Sequence, residues 1–371
     1  MKRKRVLQVT GGLGIGGIEK ITTSFLKEID KSKYEMDFLV YGNTIGEYET
    51  IVSNYGGRII RVPSPYKGYY NFYKNVKDAM KKNGPYDIVH THVLFNSGFI
   101  VRAAAKNRIP IIIAHSHDNL QGMREGFIRK IYYFIMRKWI NRYATKICAC
   151  SELAGEYLFG KEKFKKYGIV LHNKIDISRF NFDSESRKNI RECYGIGDDD
   201  IVIGNIGRIE EQKNQEYLLI ILKRLLNFSK KFKLLIVGDG SLKNNLCEQI
   251  NQLKLNNNVI MAGKKENINE LLSAMDIFAL TSVHEGLGIV LIEAQANGLC
   301  CLAPQNVVPM EAKILDSFVF MKGTDDNNID EWVRELRKKH DRTKSPNKLV
   351  EQAGYDIKTL GEELDKLYSN L

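Results

Sequence analysis

Short β-rich apolar runs alternate with amphipathic, helix-patterned segments almost from end to end of this chain, and that alternation leaves it few folds. An apolar run with turn residues at both ends reads as a strand buried on both faces, and an amphipathic segment reads as a helix covering it. The first series runs "RVLQVT", "EMDFLVY", "RIIRV", "YDIVHTH", "IPIIIAH", "ATKICAC" and "GIVLH". A second series, "DIVIGNIG", "FKLLIVGDG", "NNVIMAG", "DIFALTS" and "LCCLAP", begins after the polar, turn-rich stretch "NKIDISRFNFDSESRKNIRECYGIGDDD". The 371 residues exceed what one core usually fills, so the expectation is an α/β chain with two doubly wound domains. Boundaries are expected at 1–173, a hinge at 174–198, a second domain at 199–353 and a C-terminal helix at 354–371 packing back on the first domain. Facing domains of this kind put the carboxyl ends of both sheets on one cleft, where such sheets bind ligands.

The first βα turn, "GGLGIGGIEK", contains Gly12-x-Gly14-x-x-Gly17, the spacing that holds a pyrophosphate against a helix N-terminus. A nicotinamide cofactor also asks for an acidic residue at the end of the second strand. Here "MDFLVYGN" closes on Tyr41, Gly42 and Asn43, with Asp37 at the wrong end, so the loop calls for an anion while the NAD-dependent dehydrogenase reading loses its ribose contact.

Charge divides the chain. Residues 1–173 carry 29 Lys plus Arg against 14 Asp plus Glu, a net of +15, and the remainder carries 27 against 30, a net of −3, so the whole positive balance of +12 comes from the first half. Nucleic acid is an improbable partner, because zinc-ligand spacing, RNA-binding aromatic signatures and helix-turn-helix cues are missing. Residues 123–146, "MREGFIRKIYYFIMRKWINRYATK", mix seven basic side chains with Phe127, Ile128, Ile131, Phe134, Ile135 and Trp139. Such a helix suits the surface of an anionic membrane; the alternative is a core-packed helix with a solvated basic side. No apolar stretch approaches the ~20 residues of a span, and "MKRKRVLQV" meets glycines too soon for a signal peptide, so the expected location is cytoplasmic, peripheral on the inner face of the membrane. Six cysteines without Cys-x-x-Cys spacing suit reduced, buried thiols.

The strongest chemical signal is "TSVHEGLGIVLIEAQANG", residues 281–298. Glu285 precedes a helix and Glu293 lies in its second turn, so each can grip a diol, while backbone N–H groups at 286–290 can meet hydroxyls or a phosphate. "GNIGRIEEQKN" adds Arg208 and Lys213 between a strand and a helix, where charge-assisted contacts would stabilise a departing nucleoside diphosphate.

Together these motifs resemble the retaining glycosyltransferases of family 4, the GT-B type with two Rossmann-like domains, and especially bacterial members that build capsules and exopolysaccharides. "GGLGIGGIEK", "DIVHTH", "IIIAHSHD", "CACSELAGEYLF", "GRIEEQKN" and "EGLGIVLIEAQANG" carry the resemblance over nearly the whole chain. It implies transfer of a hexosyl group from a nucleoside-diphosphate sugar, with UDP favoured, to a lipid-linked (polyprenyl-diphosphate) saccharide, with no metal or other cofactor. Position by position it implies catalytic roles for His117, beside the transferred sugar, and for Arg208, Lys213 and Glu285. Gly16 and Gly17 would lie under the phosphates. Gly207, Asn267, Ile268, Gly286, Leu287, Gly288, Ile289 and Val290 would complete the donor site, and Glu293 would hold the ribose. "HNKID" departs from the family's Asn-Gly-Ile-Asp by Lys174, which a negative φ would accommodate. The resemblance also implies front-face substitution, the family's usual account of retention without a clear nucleophile, with the leaving phosphate helping to deprotonate the acceptor.

Rival readings are a nucleotide-sugar epimerase or hydrolase on the same fold, and an idle binding subunit. Asp198-x-Asp200 matches a metal-holding pattern but lies in a turn before a strand. His90-x-His92 and His115-x-His117 each place two imidazoles on one strand face, without an obvious third ligand for either pair.

Overall fold

The computed structural model describes residues 2–14, 16–119 and 126–369, so Met123 to Glu125 of the basic segment lie outside the described residues. The chain divides into two compact units, Met1–Lys174 with Ile357–Leu371, and Ile175–Asp356. Each is a parallel sheet covered by helices.

Unit 1 holds β1 (Lys4–Thr10), β2 (Tyr34–Tyr41), β3 (Ile59–Val62), β4 (Ile88–Thr91), β5 (Ile111–Ser116), β6 (Lys146–Ala149) and β7 (Gly168–Val170), in the order β3-β2-β1-β4-β5-β6-β7. Unit 2 holds β8 (Ile201–Ile206), β9 (Phe232–Val237), β10 (Val259–Gly263), β11 (Ile277–Ala279), β12 (Cys300–Pro304) and β13 (Val319–Met321), in the order β10-β9-β8-β11-β12-β13. The doubly wound reading is therefore observed twice. β13 was not legible, because three residues at a sheet edge show no period. In both sheets the strand order reverses beside the first strand, between β1 and β4 and between β8 and β11, and the carboxyl ends at such a reversal leave a crevice.

The C-terminal helix Leu360–Ser369 is built into the core of unit 1, where Leu360, Leu364, Leu367 and Tyr368 pack with Val6, Ile21 and Phe25. A Cβ on Gly361 would come within 2.6 Å of the Glu28 carbonyl, so this glycine lets the helix lie against helix Gly17–Glu28. Lys174, the departure from the family turn, is not among the residues with positive φ. Its buried ammonium instead donates to Thr359 Oγ1 (2.8 Å) and Glu363 Oε1 (2.7 Å). Residues 174–198 include helix Ser184–Cys193, capped by the Asp183 carboxylate, and Arg187 and Arg191 on it grip Asp276 at 2.6 and 2.7 Å.

Helix Phe127–Tyr143 buries only Met136 and Ile140. Phe127 and Ile128 are 78% and 84% exposed, and Ile131, Phe134 and Ile135 are also exposed. The solvent side of this helix therefore carries apolar side chains interleaved with Arg129, Lys130 and Lys138, not basic residues alone. No helix among the described residues is long and apolar enough to cross a membrane.

Candidate active site

In unit 2 two loops meet at the β8/β11 reversal. The loop after β8 is bonded to the loop after β11: Val283 N–H donates to Gln212 O (2.8 Å) and the Gln212 amide donates to His284 O (3.0 Å). The Thr281 hydroxyl reaches the carbonyls of Lys213 and Asn214 at 3.1 and 2.9 Å. This lacing brings Lys213 Nζ to 2.5 Å from Glu285 Oε1, and Ser282 Oγ donates to the same oxygen at 2.6 Å. The side chains of Lys213 and Glu285 are only 15% and 8% exposed. Two charges taken this far out of water persist only when paired and hydrogen-bonded, and a preorganised ammonium in such a site acts more strongly on an incoming anion than it would in water.

Glycines set the floor. A Cβ at Gly238, whose φ is +149°, would lie 1.9 Å from the Gly207 carbonyl oxygen, so the chain ends of β8 and β9 touch backbone to backbone. Arg208, exposed beside them, adds to the hydrogen bonds from Ser241 that hold the Glu210 carboxyl below its ordinary range. Gly288, at φ +75°, turns the chain into helix Ile289–Ala296. Leu287, Val290 and Glu293 are buried there, and both Glu293 and Gly286 are engaged within the protein. Asn267 and Ile268 stand at the start of helix Ile268–Ala274, past the carboxyl end of β10, where Asn267 Nδ2 donates to Glu270 Oε2 (2.7 Å).

In unit 1 the glycine loop follows β1, and Gly16 N-caps helix Gly17–Glu28 without a side-chain cap. Any side chain at Gly46 would strike the Leu13 backbone at 2.1 Å, and Tyr48 N–H donates to Leu13 O, so the segment after β2 lies on this loop. Asp37 is occupied away from it, accepting from Arg5, Arg58 and Tyr86.

β4 and β5 are neighbours, and their histidines form one cluster. His90 Nε2 and His115 Nδ1 are 3.1 Å apart, and His92 Nδ1 and His117 Nε2 2.8 Å apart. His92 Nε2 lies 2.7 Å from Gln8 Oε1, and Gln8 Nε2 donates to Tyr368 Oη (2.9 Å), which lies 2.9 Å from His90 Nδ1. Burial pushes the basicity of His90, His92 and His115 far down and holds His117 at about 4, against weaker upward pulls from Asn173 and Asp118. All four are neutral near pH 7. The two pairs, for neither of which the sequence offered an obvious third ligand, thus join, and His90, His92 and His115 bring ligand-type atoms within 4.8 Å of one another. Each of those three rings already shares at least one nitrogen with a hydrogen-bond partner, so the cluster is a hydrogen-bonded chain of neutral rings. At Asp198-x-Asp200, Asp199 pairs with Lys231 and Asp200 accepts from Gly197 N–H, as a turn would.

Comparison with known proteins decides the family. The model for "Glycosyltransferase Family 4" matches residues 15–179 and that for "Glycosyl transferases group 1" matches 186–354. EpsF of Bacillus subtilis, named as a glycosyltransferase, is 34% identical over 82% of this chain and 80% of its own. The chain belongs to the family 4 glycosyltransferases. An Escherichia coli relative, named UDP-Gal:alpha-D-GlcNAc-diphosphoundecaprenol alpha-1,3-galactosyltransferase, is 27% identical to this glycosyltransferase over 60% of the chain and 58% of its own. The crystal structure of Anabaena HepE in complex with UDP and glucose shares the fold, with a TM-score of 0.80 at 18% identity over the full length of both chains. The dehydrogenase reading of the glycine loop ends here, since the same loop belongs to a glycosyltransferase.

Sequence reasoning missed Gln8, Ser282 and Tyr368. Ser282 stood beside Glu285 in the quoted motif. Gln8 had a local signal too, as the one polar side chain inside "VLQV", and such a residue in a strand buried on both faces must find partners. Tyr368 had none, lying 278 residues from His90.

Proposed function

We propose that this glycosyltransferase moves a hexosyl group from a UDP-sugar to a lipid-linked saccharide in capsule or exopolysaccharide assembly, with retention and without a metal. The observation that carries the reading is the Lys213–Glu285 pair at the β8/β11 reversal, where an anion-binding cation and a hydroxyl-binding carboxylate lie side by side. The E. coli relative is named for a UDP-galactose donor and a diphosphoundecaprenol acceptor, which supports both substrate classes.

In this scheme Arg208 and Lys213 take the charge that develops on the departing diphosphate, the role a divalent metal fills elsewhere. Glu285 accepts from sugar hydroxyls, Glu293 from the ribose, and the backbone of 286–290 and of 267–268 completes the donor site. His117 in unit 1 meets the transferred sugar, and Gly17, where a Cβ would meet nothing within 4 Å, leaves room for phosphate oxygens, while the space at Gly16 is taken by the Glu19 carboxylate. The C–O bond to the diphosphate breaks as the acceptor oxygen bonds the same face of the anomeric carbon, and the acceptor proton passes to the departing phosphate oxygen. Helix Phe127–Tyr143 supports a membrane-held acceptor, because exposed Phe127, Ile128, Ile131 and Phe134 beside Arg129, Lys130 and Lys138 suit the interface of an anionic bilayer.

The test is a panel of nucleotide sugars scored by thermal stabilisation in EDTA, followed by mass spectrometry of polyprenyl-diphosphate-linked acceptors. A UDP-sugar should raise the melting temperature and add one hexose to the lipid. Nucleotide release without an acceptor would favour the hydrolase or epimerase. If no nucleotide sugar shifts the melting temperature and Arg208→Ala behaves as the parent, the proposal fails.

A further inference from the structure

The cluster in unit 1 is a single file of groups, and its protons can be placed. At neutral pH each imidazole has one N–H and one lone pair, Tyr368 has one O–H to give, and each end of the Gln8 amide is used once within the file. In such a file the direction of one link fixes all the others. Gln8 turns Oε1 to His92 and Nε2 to Tyr368. His92 therefore donates from Nε2 and accepts at Nδ1 from His117 Nε2–H, which leaves a lone pair on His117 Nδ1. On the other arm Tyr368 donates to His90 Nδ1, and His90 Nε2–H donates to His115 Nδ1. The two ends, His117 Nδ1 and His115 Nε2, are buried atoms without a well-formed hydrogen bond among the described residues; Asn173 stands beside His117, and its Oδ1 is likewise buried without a bond. Turning the Gln8 amide over would reverse every link and put the proton on His117 Nδ1.

We infer that Gln8 and Tyr368 are positioning residues that hold His117 as a hydrogen-bond acceptor at Nδ1 toward the transferred sugar. The inference rests on the proposal that His117 meets that sugar. Tyr368 comes from the C-terminal helix, so this helix supplies the joint between the two histidine arms. The helix is held in place by Lys174 to Glu363 and Thr359, and by Asp365 to Lys33 and Tyr34. Without the Tyr368 hydroxyl, the Gln8 Nε2–H loses the acceptor it has in this orientation, the two arms are no longer joined, and His117 is free to populate both tautomers.

The experiment uses the full chain labelled with 15N, with imidazole nitrogen spectra recorded without substrate, and compares the parent with Tyr368→Phe and Gln8→Met, two independent cuts at the same joint. In the parent, His117 should show a pyridine-type Nδ1 and a pyrrole-type Nε2. In both variants the two nitrogen signals should move toward each other. Steady-state transfer should then show kcat lower by about tenfold, with the donor KM within about twofold. An unchanged His117 spectrum in either folded variant overturns the inference. A changed spectrum with parental kcat also overturns it, because the file would then order protons without serving catalysis. The spectra need no sugar, so a parent that transfers nothing counts against the proposed function while the proton order is still decided. Near-ultraviolet circular dichroism identifies a variant that has lost its fold, and the other variant then decides.

Discussion

Lys213 Nζ and Glu285 Oε1 are 2.5 Å apart across 72 residues of sequence. The backbone bonds between their loops fix this distance, so the pair exists before any donor arrives. An ammonium held this way keeps hydrogens for a phosphate oxygen, since among the described bonds it spends one on Glu285. Removing either partner leaves the other charge poorly solvated. Lys213→Met and Glu285→Gln should each destabilise unit 2 by about 3 kcal/mol, and the double variant by clearly less than the sum. Each single variant should lower kcat/KM by about 100-fold or more. Urea unfolding and steady-state kinetics on the four proteins check this, and strict additivity would argue against a functioning pair.

Gly238→Ala tests the backbone floor of the site. The added methyl meets the Gly207 carbonyl at 1.9 Å and the residue sits at φ +149°, so both space and conformation oppose it. The expected cost is about 3 kcal/mol, with weaker UDP binding because the end of β8 that precedes Arg208 must move. A melting curve and a UDP titration read the two effects. Full parental stability in both would show that the loops are looser than described.

Acid should undo unit 1 through its histidines. Their folded basicity is depressed from the ordinary 6.5, to about 4 for His117. The unfolded chain therefore binds protons below pH 6.5 that the folded chain refuses, and stability falls as pH falls from 6.5 towards 4. Each such histidine contributes a slope of about 1.4 kcal/mol per pH unit in that window. Urea midpoints between pH 7 and pH 5 should drop steeply, at pH values where most carboxylates are still ionised in the unfolded chain. A flat profile over that range would contradict the burial of the cluster.

Lys174→Met should loosen the C-terminal helix. The Lys174 side chain is 1% exposed and pairs with Glu363, so its loss removes a charge-assisted bond near the start of the helix. Amide exchange in Leu360–Ser369 should speed up about tenfold, equivalent to about 1.4 kcal/mol of local opening. Exchange unchanged in this helix would mean that its apolar face alone holds it.

The exposed face of helix Phe127–Tyr143 predicts binding to vesicles that contain anionic lipid and little binding to neutral ones. Phe127→Ser with Phe134→Ser should weaken sedimentation with phosphatidylglycerol vesicles at least tenfold without lowering the melting temperature, since both rings are already in solvent. Equal sedimentation of the double variant would remove the proposed contact.

The sequence alone fixed the alternation of strands and helices, because burial on two faces leaves apolar runs that no other architecture explains. It also fixed the identities at the carboxyl strand ends, since glycine, lysine and glutamate there are decided within a few residues. The pairing of Lys213 with Glu285, the joining of two histidine pairs into one file, and the reach of Tyr368 into that file were decided only by tertiary structure. These are contacts between groups far apart in the chain, and no local pattern records them. The same holds for the outward face of helix Phe127–Tyr143. Its composition fitted a core helix as well as a surface one, and only the positions of its neighbours determined which side chains water can reach.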